Sequence, residues 1–268
     1  MFDPAAIPAS LRTTQDVLAA RIEDAALSSS QPAQQCFYDG WLLRYSPGRA
    51  KRARSVNAVG AGRLPLAEKL AHCRAFYARH GLPCIFRLTP FSLPADLDAQ
   101  LEVAGYAAAE ETRVMMLEPS GSIEVAAPLC ELRNLDAGEF GAVFGELHEL
   151  DATKRAAERE RFARAPLPGA YLAIFEAERP IACGSLVIDG ELAGIFGMVT
   201  QPARRGCGFA TRIVAELLQR ARDARVRTAY LQVTASNTSA RQMYRRFGFQ
   251  DCYAYWYRYA PGTEESVR

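Results

Sequence analysis

The chain has 268 residues, a formal net charge of +2 and a hydrophobic fraction of 49%. That length and hydrophobic content are sufficient for one large or two modest domains with cores of their own. The small net charge argues against nucleic acid as a partner, and no apolar run is long enough for a membrane-spanning helix. The first residues lack the order of a secretory signal, and seven cysteines without close pairing are typical of reduced thiols. We therefore expect a cytoplasmic protein.

The first half of the chain alternates strand and helix patterns. Pro65 stands at the start of one amphipathic segment, and Gly81 and Gly105 stand at the ends of two, as expected for helix boundaries. The predicted strands are 37–46, 55–59, 84–90 and 112–117, and the predicted helices are 65–81 and 95–106.

The second half repeats this order between residues 194 and 259. A strand at 194–200 is followed by an amphipathic helix from residue 209, a buried strand at 229–233 and a helix from residue 237. Ala-Gly-Tyr at 104–106 also matches the placement of Phe-Gly-Phe at 247–249. We predict an internal structural repeat of roughly one hundred residues.

The most specific local pattern is the loop between the strand at 194–200 and the next helix. Arg205, Gly208 and Ala210 have the spacing R-x-x-G-x-A at a helix start. Unpaired N–H groups and the positive end of the helix dipole favour an anion there, and small residues let the backbone approach a bulky phosphate. Arg205 adds a fixed positive charge. Taken alone, the loop fits an ordinary tight turn about as well as a diphosphate site.

The helix that begins near Asn237 carries a second signal. Asn237 is a good N-cap, and Gly248 is placed to end the helix in a left-handed conformation. Tyr244 lies on the apolar face, so its ring is expected to point inward. By itself Tyr244 is a core aromatic; beside a diphosphate loop, its hydroxyl is a candidate for chemistry.

These patterns together resemble the GNAT superfamily of N-acetyltransferases over about residues 129–260. The first half resembles the leading part of bacterial two-part acetyltransferases that carry the motif YDGWLLR, here at 38–44. The resemblance implies an α/β (mixed α+β) fold of tandem GNAT-like halves, each a twisted mixed β-sheet flanked by helices. It also implies acetyl-CoA as co-substrate and no metal.

The resemblance implies a role for each part of the site. The loop would hold the pyrophosphate of acetyl-CoA, the strand at 194–200 would pair with the pantetheine arm, and Gly194 and Gly197 are compatible with the bulge that separates two parallel strands. Asn237 would contact the arm, and Tyr244 would lie near the sulfur. The implied cofactor-binding residues are Met198, Val199, Thr200, Arg204, Arg205, Gly206, Cys207, Gly208, Phe209, Ala210, Thr211 and Asn237.

The chemistry of acetyl transfer supports a catalytic role for Tyr244. A phenol is protonated at neutral pH and is able to donate to a departing thiolate, and N–H groups around Met198 and Val199 are candidates for oxyanion stabilisation. No general base is assigned, because a water chain is at least as plausible as any candidate side chain. Those candidates are Glu146, His148, Glu149, Asp151, Glu176 and Glu191.

The first half contains no equivalent cofactor loop. Gly60 and Gly62 precede a helix, but no Arg stands in register and Pro65 interrupts the loop. We expect this half to shape the acceptor cleft rather than to form a second active site. The predicted boundaries are a mobile N-terminus at 1–13, a degenerate GNAT-like domain at 14–118, a linker at 119–128, a catalytic domain at 129–262 and a tail at 263–268.

Three functions remain open at this point. The first is acetyl transfer to a primary amine of a small molecule or a peptide, in a protein for which a homodimer is a candidate assembly. The second is acyl-CoA binding without catalysis. The third, another doubly wound nucleotide binder, is disfavoured because no acidic residue follows the loop at the ribose-binding distance.

Overall fold

The structure is a computed structural model that describes residues 2–14, 16–29, 32–46, 50–119 and 130–262. The predicted tail and all but the first residue of the predicted linker lie outside these ranges. No helix in the described part of the chain is both long and apolar enough to cross a membrane.

The α-helices are α1 (Ala9–Arg12), α2 (Val17–Ser29), α3 (Leu66–Arg79), α4 (Leu97–Val103), α5 (Ala137–Leu147), α6 (Ala152–Ala163), α7 (Phe209–Asp223) and α8 (Thr238–Arg246). The strands are β1 (Gln34–Tyr38), β2 (Trp41–Tyr45), β3 (Val56–Asn57), β4 (Ile85–Leu88), β5 (Ala107–Leu117), β6 (Glu131–Leu135), β7 (Gly169–Glu176), β8 (Arg179–Asp189), β9 (Leu192–Thr200), β10 (Thr228–Thr234) and β11 (Gln250–Tyr259).

The described strands form one sheet in the order β1-β2-β3-β4-β11-β5-β10-β9-β8-β7-β6. From β2 to β8 this order is symmetric, because β2, β3, β4 and β11 correspond to β8, β9, β10 and β5. The pair β3 and β4 is parallel, as is the pair β9 and β10. A constant offset of 143 residues relates Leu66 to Phe209 at the helix starts, and Gly105 to Gly248 at the helix ends. The predicted internal repeat is confirmed, but its two copies lie 143 residues apart, further than the roughly one hundred residues predicted.

The two halves exchange their last strands. β5, from the first half, lies between β10 and β11, and β11 lies between β4 and β5. Both of these neighbours of β5 run antiparallel to it. Each half therefore completes its part of the sheet with a strand of the other half, which the sequence patterns do not show. The predicted domain boundaries stay a prediction.

Helices cover both faces of the sheet, and the alternation of the strands shows which face each helix covers. On β7, Leu172 and Ile174 pack in the cluster that contains α7 and α8, whereas Tyr171 and Ala173 pack with α5 and α6. α2 lies on the same face as α5 and α6, across the middle of the sheet. The helices α3 and α4 take the face of α7 and α8 in the first half.

The prediction of one strand over 37–46 is wrong. β1 and β2 form an antiparallel hairpin in which Tyr38 lies opposite Trp41. Asp39 and Gly40 form its turn with φ of 41° and 80°. Asp-Gly favours this left-handed two-residue turn, and the prediction read the alternation straight through it.

The N-terminal segment predicted to be mobile contributes to the core of the first half. Ile7 is 2% exposed and packs in the cluster with α3 and α4. Its mobility stays a prediction.

Candidate active site

The opening between β9 and β10 is the centre of the candidate site. These strands pair only as far as Ile195 and Leu231, although both continue. The pairing of β9 with β8 shifts register around Gly197, whose φ is 61°. This irregularity is a β-bulge in the strand for which one is predicted, and it lies where β9 leaves β10. A Cβ at position 197 would lie 3.0 Å from Cζ of Phe140, so only glycine fits without a shift.

The loop before α7 presents a row of unpaired backbone N–H groups. Gly208 is the N-cap of α7, and it supplies no side-chain hydrogen bond to the helix start. Gly206 and Gly208 have φ of 78° and 82°, which glycine adopts without a steric penalty. Within the described part of the chain, the N–H groups of residues 206–211 donate to no acceptor. They are free to bind an anion at the positive end of the α7 dipole.

The arginines near this loop differ in their partners. Arg205 is exposed, and its Nε lies 3.5 Å from the carbonyl oxygen of Thr200. Arg204 forms an ion pair with Glu176 and stacks over the ring of Phe209 at 5.3 Å. Arg205 therefore keeps its charge available for a ligand, whereas the charge of Arg204 is already partnered.

Tyr244 lies on the core side of α8, as predicted. It is 6% exposed, and its ring packs edge-on against Phe249 at 5.9 Å. Burial raises the pKa of Tyr244 to about 12. Asn237 is the N-cap of α8 and accepts a hydrogen bond from the N–H of Ala240 at 3.2 Å.

A cleft of about 920 Å³ brings these parts together. Of the predicted site residues, only Cys207 does not line it; the Cys207 side chain is exposed and its Sγ lies 3.8 Å from the carbonyl oxygen of Arg205. The sequence patterns did not assign several other lining residues to the site, and some of these come from elements far apart in the chain. Those most relevant to the site are Arg52, Phe144, Phe196, Gln232, Met243 and Arg246.

The candidate bases differ in whether they line the cleft. His148, the C-cap residue of α5, lines the cleft and packs edge-on against Phe144 at 4.4 Å. Glu176 pairs with Arg204, and Glu191 pairs with Arg227 at the far end of β9. No aspartate or glutamate is among the described residues that line the cleft. No group of three or more His, Cys, Asp and Glu side chains in the described ranges is arranged to hold a metal ion.

The two backbone donors predicted for the oxyanion, at Met198 and Val199, both belong to residues that line the cleft. Beside them, the Cys183 thiol on β8 donates to the carbonyl oxygen of Gly197 at 3.5 Å. Burial raises the pKa of that thiol. The oxyanion role of either N–H stays a prediction.

Comparison with known proteins identifies a family for the second half of the chain. The model of the acetyltransferase (GNAT) family matches residues 130–249. The uncharacterized N-acetyltransferase YobR of Bacillus subtilis is 25% identical over 243 residues, which cover 89% of this chain and 97% of that protein.

Solved structures share the fold over more of the chain. A GCN5-related N-acetyltransferase from Kribbella flavida has a TM-score of 0.68 at 20% identity, covering 93% of this chain and 98% of its own. A tandem GNAT protein from the clavulanic acid biosynthesis pathway has a TM-score of 0.55 at 15% identity, covering 74% of this chain and 70% of its own. Residues 130–249 therefore match the GNAT acetyltransferase family, in a chain that shares its fold with these solved structures.

Proposed function

We propose that the protein is an acetyl-CoA-dependent N-acetyltransferase that acts on a primary amine of a small molecule or a peptide. The observation that carries the proposal is the row of unpaired N–H groups at residues 206–211, which faces the same cleft as the opening between β9 and β10. Each N–H is able to donate to a phosphate oxygen, and the helix dipole favours the negative charge. Apart from its chain neighbours, no atom lies within 4 Å of a Cβ at position 206, so the loop is open at this position.

The remaining contacts of the co-substrate follow from the same cleft. Arg205, at the loop, and Arg246, at the end of α8, are exposed cations that line it. The free edge of β9 beyond Ile195 offers backbone groups to the amides of the pantetheine arm, since β10 no longer pairs with it. Asn237 lies beside this path, with its amide nitrogen available for a further contact.

Acetyl-CoA supplies an activated acetyl thioester to an amine nucleophile. Tyr244 provides the proton that the departing thiolate needs, because a phenol with a pKa of about 12 stays protonated at neutral pH. The N–H groups of Met198 and Val199, beside the bulge, are the proposed donors to the acetyl carbonyl. The walls of the cleft hold the amine and the thioester together, which removes most of the entropic cost of their encounter.

The proton on the incoming amine has two routes out of the cleft. His148 is a titratable side chain on its wall, and a neutral imidazole accepts a proton through one nitrogen. A chain of waters is the other route. Replacing His148 with Asn keeps a polar side chain without the base, and we expect kcat to fall about 10-fold if His148 is the acceptor. An unchanged kcat assigns the role to water.

A second function, acyl-CoA binding without catalysis, has one observation in its favour. No carboxylate lines the described part of the cleft, so a strong general base of that type is missing. Thiol release from acetyl-CoA across a panel of amines separates the two functions. Turnover establishes the enzyme, whereas tight binding without turnover on any amine favours the binding protein.

Calorimetry with acetyl-CoA tests the loop that both functions require. Arg205→Glu places a negative charge beside the phosphates, and we expect it to weaken binding about 100-fold. Arg227→Glu is the matched control, because Arg227 is an exposed arginine paired with Glu191 away from the cleft. Equal affinity in the wild type and Arg205→Glu would contradict the assigned loop.

A further inference from the structure

Arg52, from the first half of the chain, lines the cleft. Arg52 lies in a short 3-10 turn between β2 and β3, and its Nη1 donates to Oε1 of Gln232 at 2.8 Å. Its guanidinium carbon lies 5.1 Å from the centre of the Phe196 ring. Phe196 and Gln232 are the residues of β9 and β10 directly after the last pair, Ile195 and Leu231. Arg52 is therefore placed at the opening between these strands.

Arg52 lies across the sheet from the phosphate loop. Ile195 and Leu231 pack in the cluster with α7, the helix that begins at the loop. Phe196 points the opposite way and packs in the cluster with α2. A co-substrate that is held by the loop reaches the opening from the α7 face. The acceptor amine then has to meet the thioester from the face on which Arg52 stands.

The charge of Arg52 lacks a counterion within the described residues. Within the described residues, its side-chain hydrogen bond goes to an amide oxygen, that of Gln232. Arg161 on the same face forms an ion pair with Glu158, and the charge of Arg52 lowers the pKa of Arg161 beyond the effect of burial. Arg52 therefore brings positive charge without a described counterion to its side of the cleft.

Two buried donors beside each other also lack acceptors. Nε of Arg52 and Nε2 of Gln232 are both buried without a hydrogen-bond partner. Oε1 of Gln232 is already used twice, since it accepts from Arg52 and from the hydroxyl of Tyr255 at 3.1 Å. Buried arginine Nε atoms without an acceptor recur elsewhere in the described residues, but Arg52 and Gln232 lie at the opening of the cleft, where a bound group has access to their donors. A planar guanidinium and an amide together match the two oxygens of a carboxylate.

We infer that Arg52 binds a carboxylate on the acceptor, so that the substrate is an amine which also carries a carboxylate group, as a free amino acid does. This inference rests on the proposed acetyltransferase function. Purely cationic acceptors such as polyamines are disfavoured, because they would bring a second positive charge to Arg52 without an acidic side chain in the described lining to balance it.

The first experiment compares matched amines. Thiol release from acetyl-CoA is measured with the common amino acids and with their primary amides, which have the same side chains but no carboxylate. We expect at least one amino acid to exceed its amide about 10-fold or more in kcat/KM. Amides acetylated as well as the acids would overturn the inference while leaving the proposed function intact. Preference for aminoalkylphosphonates over carboxylates would overturn it as well.

Variants of Arg52 assign the preference to this side chain. Arg52→Gln removes the charge, and we expect KM for the preferred acid to rise about 10- to 100-fold, well above any rise for the amide. Arg52→Lys keeps the charge and recovers part of the loss. Arg227→Ala, which removes an exposed arginine outside the cleft, is the control. An equal loss on acid and amide would show a structural role instead.

A second measurement does not depend on turnover. The N-acetyl derivatives of the same amino acids are titrated into the protein saturated with coenzyme A, and again into Arg52→Gln. Binding of an N-acetyl acid that the variant loses supports the inference. Absence of both turnover and carboxylate binding overturns it, and the affinity for acetyl-CoA in the same samples shows whether the proposed function fails too.

Discussion

The loops before α3 and α7 occupy equivalent positions in the two halves, but their N–H groups have different partners. At the offset of 143 residues, Arg63 and Leu64 correspond to Gly206 and Cys207. The N–H groups of Arg63 and Leu64 donate to the carboxylate of Asp39 at 2.9 Å. The first half thus binds an anion of its own chain where the second half leaves its N–H groups open. Asp39 makes the first loop a structural element.

A lysine and a glycine complete this internal anion site. Nζ of Lys69 lies 3.2 Å from Oδ2 of Asp39 and donates to two backbone carbonyls nearby. A Cβ at Gly62 would lie 2.2 Å from the same carboxylate. No phosphate has room to enter. The carboxylate of Asp39 therefore explains why we expect no cofactor loop in the first half. In the sequence, the signs of this were the lack of an Arg in register and the presence of Pro65 in the loop.

The two halves also differ at the ends of their parallel strands. Beyond β3, the carbonyl of Ala58 accepts a hydrogen bond from the N–H of Leu93 at 2.8 Å, and Leu93 is held in turn by Trp41. The space beside that strand pair is about 100 Å³, against about 920 Å³ in the second half. The same offset places Leu101 where the second half has Tyr244; each accepts the N–H that closes its helix. Of these two equivalent regions, the second therefore has both the phenol and the opening between its parallel strands, and the first has neither.

The comparison predicts that a carboxylate in the second loop would close it as Asp39 closes the first. Gly206→Asp places such a group beside the open N–H groups, and we expect the affinity for acetyl-CoA to fall about 100-fold or more. Gly206→Asn is the matched control, because it has the same size and imposes the same left-handed conformation without the charge. Calorimetry on both variants measures the difference. Equal affinities in the two would mean that the loop does not meet the phosphates.

Removing the phenol tests the second difference. We expect Tyr244→Phe to lower kcat about 100-fold, because the thiolate loses its proton donor, and to leave the affinity for acetyl-CoA within about 2-fold. Tyr244→Leu copies Leu101 of the first half and should lose at least as much. Thiol-release kinetics and calorimetry separate the two effects.

The pH profile gives an independent check on Tyr244. Burial raises its pKa from 10.0 to about 12, so the acid form persists and the rate should show no loss from phenol ionisation between pH 6 and 9. A loss near pH 8 that Tyr244→Phe abolishes would contradict the assignment.

The opening itself is tested at its bulge. Gly197→Ala adds a Cβ about 3.0 Å from the Phe140 ring, so the bulge has to shift, and we expect kcat/KM to fall about 10-fold. Gly190→Ala is a matched control: its φ is 59°, close to the 61° of Gly197, but nothing lies within 4 Å of its Cβ. Both variants should lose stability from backbone strain, whereas only Gly197→Ala should lose activity. Equal kcat/KM values for Gly197→Ala and Gly190→Ala would mean that the bulge is not required for activity.

The local parts of this site were predictable because they depend on short spacings. The glycines of the loop, Asn237 as an N-cap and the inward face of Tyr244 each follow from residues within one helix turn. The contribution of Arg52 was not predictable, since 180 residues separate it from Gln232, its partner in the cleft. The exchange of β5 and β11 was missed for the same reason. Strand order depends on contacts between distant segments, and the hydrophobic periodicity within one segment contains no information about them.

The smallest expected effect comes from opening the first loop. Asp39→Asn removes the charge that holds Arg63 and Leu64, and we expect Tm to fall by a few degrees while the affinity for acetyl-CoA stays the same.

Hydrogen bonds from the Leu64 backbone, opposed by burial and reinforced by Arg63 and Lys69, lower the pKa of Asp39. A lowered pKa means that the stabilisation is complete above the ordinary pKa of aspartate and is lost as the pH falls through the folded value. The difference in Tm between the wild type and Asp39→Asn should therefore shrink on acidification from pH 7 toward pH 3. A difference that stays constant over that range would mean that the carboxylate does not act as the internal anion, and the contrast between the two loops would then need another cause.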